Sequence, residues 1–285
     1  MSDWLDRMDR LLRRNRALPR MQWLRDKLRK PYHAILRRNQ KGFALNIGGV
    51  MPVRLPGEFC ARELVEYEAV SARAIRDWSD ANPGGLFIDI GCSYGYFSCG
   101  VLFSDPAANV IAIDADLPSL SITKYVCSHA PRVEERLALI HALIAPETSG
   151  AWSLVSLASE TARLLSKPAL RPDPKKTNYV NLDTRIPEKD LPRVSLDDLI
   201  SQHLDATRSA CMIKCDVEGA ELLVLQGAET VLARYRPTLL LSVHPPYLPR
   251  FEGSVNEISS LLDRVGYRTR VIDIDHEEHW LCLPG

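Results

Sequence analysis

The chain has 285 residues, of which 46% are hydrophobic and 25% charged, so it has the size of one α/β domain with additions and the composition of a globular protein. No apolar run reaches the roughly eighteen residues of a membrane-spanning helix, and the first residues alternate acids with arginines, which argues against integral membrane and secreted proteins. The seven cysteines are irregularly spaced and form no CxxC pair, so we expect reduced thiols in a cytoplasmic protein.

Charge is distributed unevenly, although the formal net charge is zero. Residues 1–41 contain 13 Lys and Arg against 4 Asp and Glu, a net of +9, which leaves the rest of the chain at −9. The apolar side chains that recur at helical spacing in this basic arm, and so predict an amphipathic helix, are Trp4, Leu5, Met8, Leu11 and Leu12. Three interpretations remain open: packing on the domain or on a partner subunit, peripheral contact of residues 1–30 with the inner face of a membrane, and nucleic-acid binding, for which no recognition motif is present.

A lead-in segment over residues 42–80 predicts a short hairpin and a helix. Two strands, Phe43–Ile47 and Met51–Leu55, flank Gly48-Gly49, and the helix is expected from Arg62 to Trp78.

From residue 81 to 285, apolar strands alternate with helices, which is typical of a parallel sheet covered on both faces. The predicted strands are Leu86–Ile90, Val110–Ile113, Leu137–Ala142, Met212–Cys215 and Thr238–Val243. The predicted helices are Tyr96–Phe103, Leu117–Cys127, Glu221–Ala233 and Val255–Val265. The last apolar runs, Tyr267–Ile274 and Trp280–Leu283, suit a hairpin that places an antiparallel strand at the sheet edge. Residues 146–194 are expected to form a long excursion from the sheet.

This arrangement resembles the class I methyltransferase fold, a Rossmann-like, mostly parallel seven-stranded sheet with an antiparallel C-terminal hairpin. The expected organisation is a basic helical arm over residues 1–41 and a methyltransferase domain over residues 42–285. Fold does not fix function, so the motifs must be considered separately.

A glycine-containing turn, Asp89-Ile-Gly-Cys-Ser-Tyr-Gly95, follows the first strand of the alternating pattern. Small residues at this turn let the backbone approach a ligand at the carboxyl end of the strand. Asp114 ends the next strand, where a carboxylate can accept hydrogen bonds from both ribose hydroxyls of a nucleoside. We expect the adenine near His141–Leu143.

Dinucleotide oxidoreductases share this layout, but their loop reads GxGxxG and receives a pyrophosphate. Here the third glycine is absent, and Asp89 would repel a pyrophosphate but attract the ammonium and sulfonium groups of S-adenosylmethionine. The candidate residues for binding S-adenosylmethionine are therefore Asp89, Gly91, Cys92, Ser93, Tyr94, Gly95 and Asp114.

A charged run follows the fourth strand, reading Lys214-Cys-Asp-Val-Glu-Gly-Ala-Glu221. A lysine and acids at the end of a buried strand are costly unless they are paired or functional. This run resembles the hallmark of the FkbM family of methyltransferases, from which only Cys215 departs. Further matching segments are Val194–Leu199, the loop Asp89–Gly95 and the strand Leu239–His244.

The resemblance covers residues 62–283 and implies methyl transfer from S-adenosylmethionine to an oxygen, typically a hydroxyl of a sugar, glycan or natural product. Three positions differ from the family pattern: Cys92 replaces alanine, Asp114 replaces glutamate, and Ser242 replaces glutamate. The serine puts in doubt any role for an acid at that position.

An alcohol acceptor must lose its proton during methyl transfer. His244 has the most suitable unperturbed pKa for this role, and Asp216 could orient the acceptor or act as the base instead. Glu218 is a candidate either for acceptor binding or for capping the following helix, and Lys214 is a candidate for an ion pair. For His244, which precedes Pro245-Pro246, an anchoring role in backbone hydrogen bonds remains the alternative. Four acids could offer oxygens to Mg²⁺, namely Asp216, Glu218, Asp197 and Asp198. Because Asp197-Asp198 are expected to begin a surface helix, where acids suit the first turn, we expect a methyl transfer that needs no metal.

Two other function classes remain in view. A nicotinamide-dependent oxidoreductase would need a hydride-transfer pair that the sequence does not display. A non-catalytic binding module on the same fold would act through the basic arm. The identity of the acceptor and the oligomeric state are not indicated by any motif.

Overall fold

The structure, a computed structural model, describes residues 42–59, 62–167, 191–201 and 210–285. The basic arm and its predicted helix, and the centre of the excursion, lie outside these ranges. Among the helices within them, none has both the length and the apolarity that crossing a bilayer requires.

The lead-in segment forms the predicted hairpin, with β1 over Phe43–Ile47 and β2 over Met51–Leu55. The predicted helix is divided in two: a 3-10 turn covers Arg62–Val65, and α1 covers Ala69–Ala81. Glu68 separates them in a left-handed conformation with φ 37°, which interrupts the predicted helix.

Seven strands form the central sheet in the order β10-β11-β9-β8-β3-β4-β5. Their bounds are β3 Leu86–Ile90, β4 Asn109–Asp114, β5 Leu137–His141, β8 Cys211–Cys215, β9 Thr238–Val243, β10 Tyr267–Ile274 and β11 Glu278–Pro284. The chain runs from β3 outward to β5, then returns to the other side of β3 through β8. This reversal between β3 and β8 creates a crevice at the carboxyl ends of the strands, where ligands bind in such sheets.

The C-terminal hairpin differs from the prediction in one respect. β11 is antiparallel to both β9 and β10, so the reversed strand lies one position inside the sheet and the edge strand β10 runs parallel to the others. The turn between β10 and β11 therefore lies at the same edge as the carboxyl ends of β3, β8 and β9.

Helices cover both faces. Besides α1, they are α2 Tyr96–Ser104, α3 Leu117–Cys127, α4 Val133–Arg136, α5 Leu154–Leu165, α6 Leu196–Ile200, α7 Glu221–Gln226, α8 Glu229–Tyr235 and α9 Val255–Arg264. The predicted helix Glu221–Ala233 is interrupted because the carboxylate of Asp197 accepts from the N–H groups of Thr230 and Val231 and so caps α8.

Alternation along the strands sorts the core into two layers. In β3, Ile88 and Ile90 join the layer with α7 and α9, and Phe87 joins the layer with α1, α2 and the β1–β2 hairpin. By the same alternation Asp89 belongs to the Phe87 face, next to its register partner Lys214 in β8. A polar row thus replaces apolar residues on one face of the sheet near its carboxyl edge.

Just before the excursion lies β6, Leu143–Ile144, which pairs in parallel with β7, Arg193–Val194, at the end of the excursion. Ser153 caps α5, which packs on β5. Asp197 and Asp198 lie in the first turn of α6, as predicted.

Candidate active site

The loop between β3 and α2 is held between two neighbouring strand ends. Gly91 has φ +75°, and a Cβ atom there would lie 1.8 Å from the backbone oxygen of Asp216, so only glycine fits at this contact. On the other side, the N–H groups of Gly91 and Cys92 donate to the carbonyl of Ile113 at 2.9 and 3.2 Å. Backbone contacts therefore fix the loop in the crevice at the switch point.

The end of this loop depends on a second tight contact. Gly95 has φ +68°, and a Cβ atom there would lie 2.3 Å from Cγ2 of Thr123 in α3. The Thr123 hydroxyl donates to the carbonyl of Ser93 at 2.9 Å, and Ser93 is itself left-handed with φ 49°. The loop conformation is thus set by α3 as well as by the sheet.

Two of the candidate cofactor residues turn their side chains into the protein. Cys92 is 7% exposed, and the ring of Tyr94 stacks on that of Tyr96 with centroids 5.4 Å apart. Phe59 meets the Tyr94 ring edge-on at 6.0 Å. What Cys92 offers to a ligand is its backbone, while the Tyr94 ring is held within an aromatic cluster.

Asp114 lies at the end of β4, half-buried beside the loop. One carboxylate oxygen accepts from Ser93 N and the other from Asp116 N, both at 2.8 Å. Burial raises the pKa of Asp114 to about 7, although both backbone hydrogen bonds act to lower it. Each oxygen retains a lone pair for a further donor. His141, at the expected adenine position, is its register partner in β5.

Asp89 is buried beneath the loop, with 1% of its surface exposed. Ser98 donates to its Oδ2 at 2.6 Å, and Oδ1 has no hydrogen-bond partner within the described ranges. Burial raises the pKa of Asp89, and the nearby Lys214 ammonium opposes that rise. Because Asp89 is buried beneath the loop, it can influence a ligand in the crevice through its charge but not through direct contact with solvent.

The end of β8 carries an ion pair. Lys214 is 3% exposed and donates to Asp216 Oδ2 at 3.0 Å, while its ammonium lies 5.3 Å from the centre of the Phe97 ring. Burial acts to lower the pKa of Lys214, but the carboxylates of Asp216, Glu68 and Asp89 outweigh it and raise that pKa. The ion pair expected for this lysine is present.

His244 follows β9 and is 2% exposed. Its Nδ1 lies 2.9 Å from Glu221 Oε1, which also accepts from Gly219 N at 2.9 Å. Burial acts to lower the pKa of His244, but hydrogen bonding to Glu221 and the charge of Glu277 outweigh it and raise the pKa to about 11. The imidazole is therefore not the unperturbed base that the sequence predicts, since in this arrangement it holds its proton at neutral pH.

The opposite ring nitrogen of His244 faces three carboxylates. The distances from Nε2 are 2.5 Å to Glu277 Oε2, 3.5 Å to Glu218 Oε2 and 3.9 Å to Asp216 Oδ1. Glu218 is the most open of the three, with 40% of its side chain exposed. The structure thus brings together the predicted His244, Asp216 and Glu218.

The sequence did not predict the contribution of the β10–β11 turn. Glu277 is buried, and its Oε1 lies 3.5 Å from Nε2 of His279, whose Nδ1 is 3.3 Å from the hydroxyl of Ser71. Glu68 carries a carboxylate oxygen within 4.8 Å of ligand atoms of both. The sequence did predict the hairpin. It did not show which of the two strands runs parallel to the sheet, and that direction decides at which edge the turn lies.

Asp197 and Asp198 do not join this group. Asp197 caps α8, and Asp198 accepts from Thr148 at 2.5 Å. Their placement removes them from the acids that could hold a cation with Asp216 and Glu218.

The domain model of the FkbM methyltransferases matches residues 108–269, more than half of the chain. This chain belongs to the FkbM methyltransferase family. The family match confirms the resemblance read from the sequence, and the sheet order and the reversed C-terminal strand confirm the class I methyltransferase fold.

Solved structures similar to this FkbM chain are also methyltransferases. Methyltransferase FkbM from Methylobacillus flagellatus KT is 18% identical with a TM-score of 0.45, and the match covers 70% of this chain and 43% of that one. This chain thus spans less than half the length of that protein. Precorrin-6y C5,15-methyltransferase from Geobacter metallireducens GS-15 is 9% identical with a TM-score of 0.41, covering 79% and 93%. The METTL16 methyltransferase domain is 10% identical with a TM-score of 0.42, covering 81% and 72%. No curated protein matches the chain significantly.

The departure of this FkbM domain at Ser242 has a structural counterpart. Ser242 is 1% exposed, and its hydroxyl lies 3.5 Å from Nδ1 of its register partner His279. Glu277, two residues before that histidine, supplies a carboxylate next to His244. An acid is therefore present beside His244, but it is Glu277 from the hairpin turn and not a residue of β9.

Proposed function

We propose that this chain transfers a methyl group from S-adenosylmethionine to a hydroxyl oxygen of a sugar, glycan or natural-product acceptor. The observation that carries the proposal is the direct contact between the cofactor loop and the acid cluster at Gly91 and Asp216. The contact supports the proposal because it brings the loop expected to hold the nucleoside next to Asp216, whose carboxylate is able to accept a proton.

The residues fit the methyl donor. The loop has no side chain at Gly91, the carboxylate of Asp114 has lone pairs left for two ribose hydroxyls, and the buried Asp89 has one oxygen without a partner. When bound, S-adenosylmethionine supplies an electrophilic methyl group next to a positive sulfonium. The negative charge of Asp89 favours this cation and disfavours the pyrophosphate of a nicotinamide cofactor.

Asp216 is proposed to receive the proton of the acceptor hydroxyl. Its side chain is 22% exposed, so it can contact both the crevice and a ligand entering from solvent. Lys214 holds one of its oxygens and leaves the other directed at the group around His244. Glu218 lies at the open side and is proposed to hydrogen-bond the acceptor. The buried His244 is proposed to hold the carboxylates of Asp216 and Glu218 in place.

Methyl transfer is tested with a panel of hydroxyl acceptors and S-adenosylmethionine, the product mass being measured directly. Pairing each sugar with its amino-sugar analogue distinguishes oxygen from nitrogen as the acceptor. Asp216→Asn should lower turnover at least tenfold while leaving cofactor affinity within about twofold. The matched control Asp80→Asn changes an exposed acid at the end of α1 and should leave both unchanged.

A second function is a non-catalytic binding module on the same fold. It predicts that the full chain binds no S-adenosylmethionine in calorimetry. That result would overturn the proposed function. Binding of S-adenosylmethionine without turnover of any acceptor on the panel would instead show that the proposed acceptor class is wrong.

A further inference from the structure

Asp216, His244 and Glu277 form a cluster that the proposed methyl transfer does not explain. Each presents one ligand atom, and the three atoms lie within 4.8 Å of one another. They come from three separate segments: the end of β8, the end of β9 and the β10–β11 turn. Glu218 adds a fourth oxygen, 3.5 Å from the histidine nitrogen, on the open side.

The histidine nitrogen that faces this cluster is close to a carboxylate but not well aligned with it. His244 Nε2 is buried, and within the described ranges no oxygen around it meets hydrogen-bond geometry, although Glu277 Oε2 is 2.5 Å away. A buried nitrogen without a linear partner is costly, so its position among the carboxylates calls for a ligand that needs no hydrogen-bond angle. A cation satisfies this requirement.

The other face of the same ring is prepared for coordination. Glu221 is fully buried, and its Oε1 accepts a hydrogen bond from Nδ1 of His244 at 2.9 Å. A carboxylate behind a histidine fixes the ring and keeps the proton on Nδ1, as in metal-ligating histidines. A cation would bind Nε2 by displacing the proton that this nitrogen holds at neutral pH. Tyr247 stacks on the ring with centroids 5.8 Å apart and limits its rotation.

The balance of charge also favours a cation. Asp216, Glu218, Glu277 and Glu221 surround the imidazole, and the nearby ammonium is that of Lys214, which is already paired with Asp216. The proton on the imidazole and the Lys214 ammonium supply two positive charges against these four carboxylates, which still repel one another. A divalent cation in place of the proton offsets that repulsion more fully.

We propose that Asp216, His244 and Glu277, with Glu218 at the open side, bind a divalent cation. One imidazole nitrogen with carboxylate oxygens suits Mn²⁺ or Zn²⁺ better than Ca²⁺, which takes oxygen ligands only. The site is independent of the proposed function, although one use of the cation rests on that function. A cation at this position would lower the pKa of an acceptor hydroxyl and so ease the loss of its proton to Asp216.

Two neighbouring groups of ligands are less suitable. The group of Glu68, Glu277 and His279 contains a histidine whose nitrogens already contact Ser71 and carboxylates. The group of Asp275, His276 and Glu277 is mostly exposed, and exposed acids commonly gather without an ion.

The test is calorimetry of MnCl₂ binding to the full chain without S-adenosylmethionine, with ZnCl₂ and MgCl₂ as further probes. One Mn²⁺ or Zn²⁺ per chain is expected, and Glu277→Gln and His244→Asn should each weaken it at least tenfold. Glu278→Gln is the matched control, because it makes the same change at the next residue, which instead accepts from Trp280. The affinity of Glu278→Gln for Mn²⁺ should equal that of the unchanged chain.

Three results would overturn the proposal. The first is no saturable binding of any of the three ions by the folded chain. The second is binding that survives Glu277→Gln with thermal unfolding of that variant unchanged. The third is binding lost in Asp275→Asn but kept in His244→Asn, which would place the ion on the exposed turn. The calorimetry contains neither S-adenosylmethionine nor an acceptor. A negative result therefore counts against the cation site only and not against the proposed methyl transfer.

Discussion

The assignment of Asp114 to the ribose of S-adenosylmethionine makes the sharpest prediction. In Asp114→Asn, the amide oxygen can still accept hydrogen bonds, but the amide nitrogen cannot, and the charge is lost. In the structure each carboxylate oxygen already accepts one backbone N–H, from Ser93 and from Asp116. The variant therefore loses one acceptor for a ribose hydroxyl and weakens one anchor of the cofactor loop.

The size of the effect follows from these two losses. Hydrogen bonds to a charged acceptor contribute roughly 1.5–3 kcal/mol each, so losing one and weakening another costs about 3 kcal/mol of binding free energy. That corresponds to a Kd about 100-fold higher for S-adenosylmethionine. Calorimetry with S-adenosylmethionine and S-adenosylhomocysteine should show the same loss for both, because they share the ribose.

Asp116→Asn is the matched control. Asp116 carries the same charge two residues further on, but its carboxylate caps α3 by accepting from the N–H and hydroxyl of Ser119. Its replacement should cost at most about 1 kcal/mol of stability and leave cofactor affinity within threefold. Equal affinities for the unchanged chain and Asp114→Asn, or equal losses in the two variants, would refute the ribose assignment.

Three further outcomes are expected. Cofactor affinity should rise about fivefold between pH 6 and pH 7 and about twofold more above pH 7, because burial raises the pKa of Asp114 to about 7 and only its ionised form accepts from both hydroxyls. Ser98→Ala should lower the free energy of unfolding by about 1–3 kcal/mol in denaturant titrations, since it removes the hydrogen bond at 2.6 Å from the buried Asp89. Gly95→Ala should destabilise by more than about 2 kcal/mol, because its Cβ would meet the Thr123 side chain at 2.3 Å in a left-handed conformation.

Each outcome has a control within the chain. The pH dependence should disappear in Asp114→Asn, and a variant that keeps it would assign the titration to another group. Ser104→Ala, at the end of the same helix as Ser98, removes a hydroxyl without a partner in the described ranges and should change stability little. Gly84→Ala has a similar φ of +79° but its nearest contact is 3.8 Å away. If it costs as much as Gly95→Ala, strain and not the clash determines the loss.

The sequence predicted strands well where an apolar run is bounded by polar residues or turns. Leu86–Ile90 and Thr238–Val243 agree residue for residue with the structure, because continuous apolar runs bury both faces of a central strand. It failed where a distant group intervenes: the break after Gln226 depends on Asp197, which is close in space but not in sequence. Local periodicity contains no information about such a cap.

The candidate site was predicted in part for the same reason. Asp216 and His244 follow strands whose carboxyl ends must meet at one edge of a parallel sheet, so their proximity follows from the pattern. Glu277 follows an edge strand whose direction could be known only once the order of the last two strands was fixed. The perturbed pKa of His244 was equally inaccessible, because it arises from acids that three different segments bring to it.

The contact at Gly91 has a thermodynamic consequence. Because no side chain separates the loop from the peptide of Asp216, the two segments cannot move independently at this point. Any ligand that shifts the loop changes the free energy of the groups around Asp216. If the loop holds the cofactor and Asp216 the acceptor, linkage requires each ligand to change the affinity of the other by the same factor. The two ends of the crevice would then be coupled through one glycine.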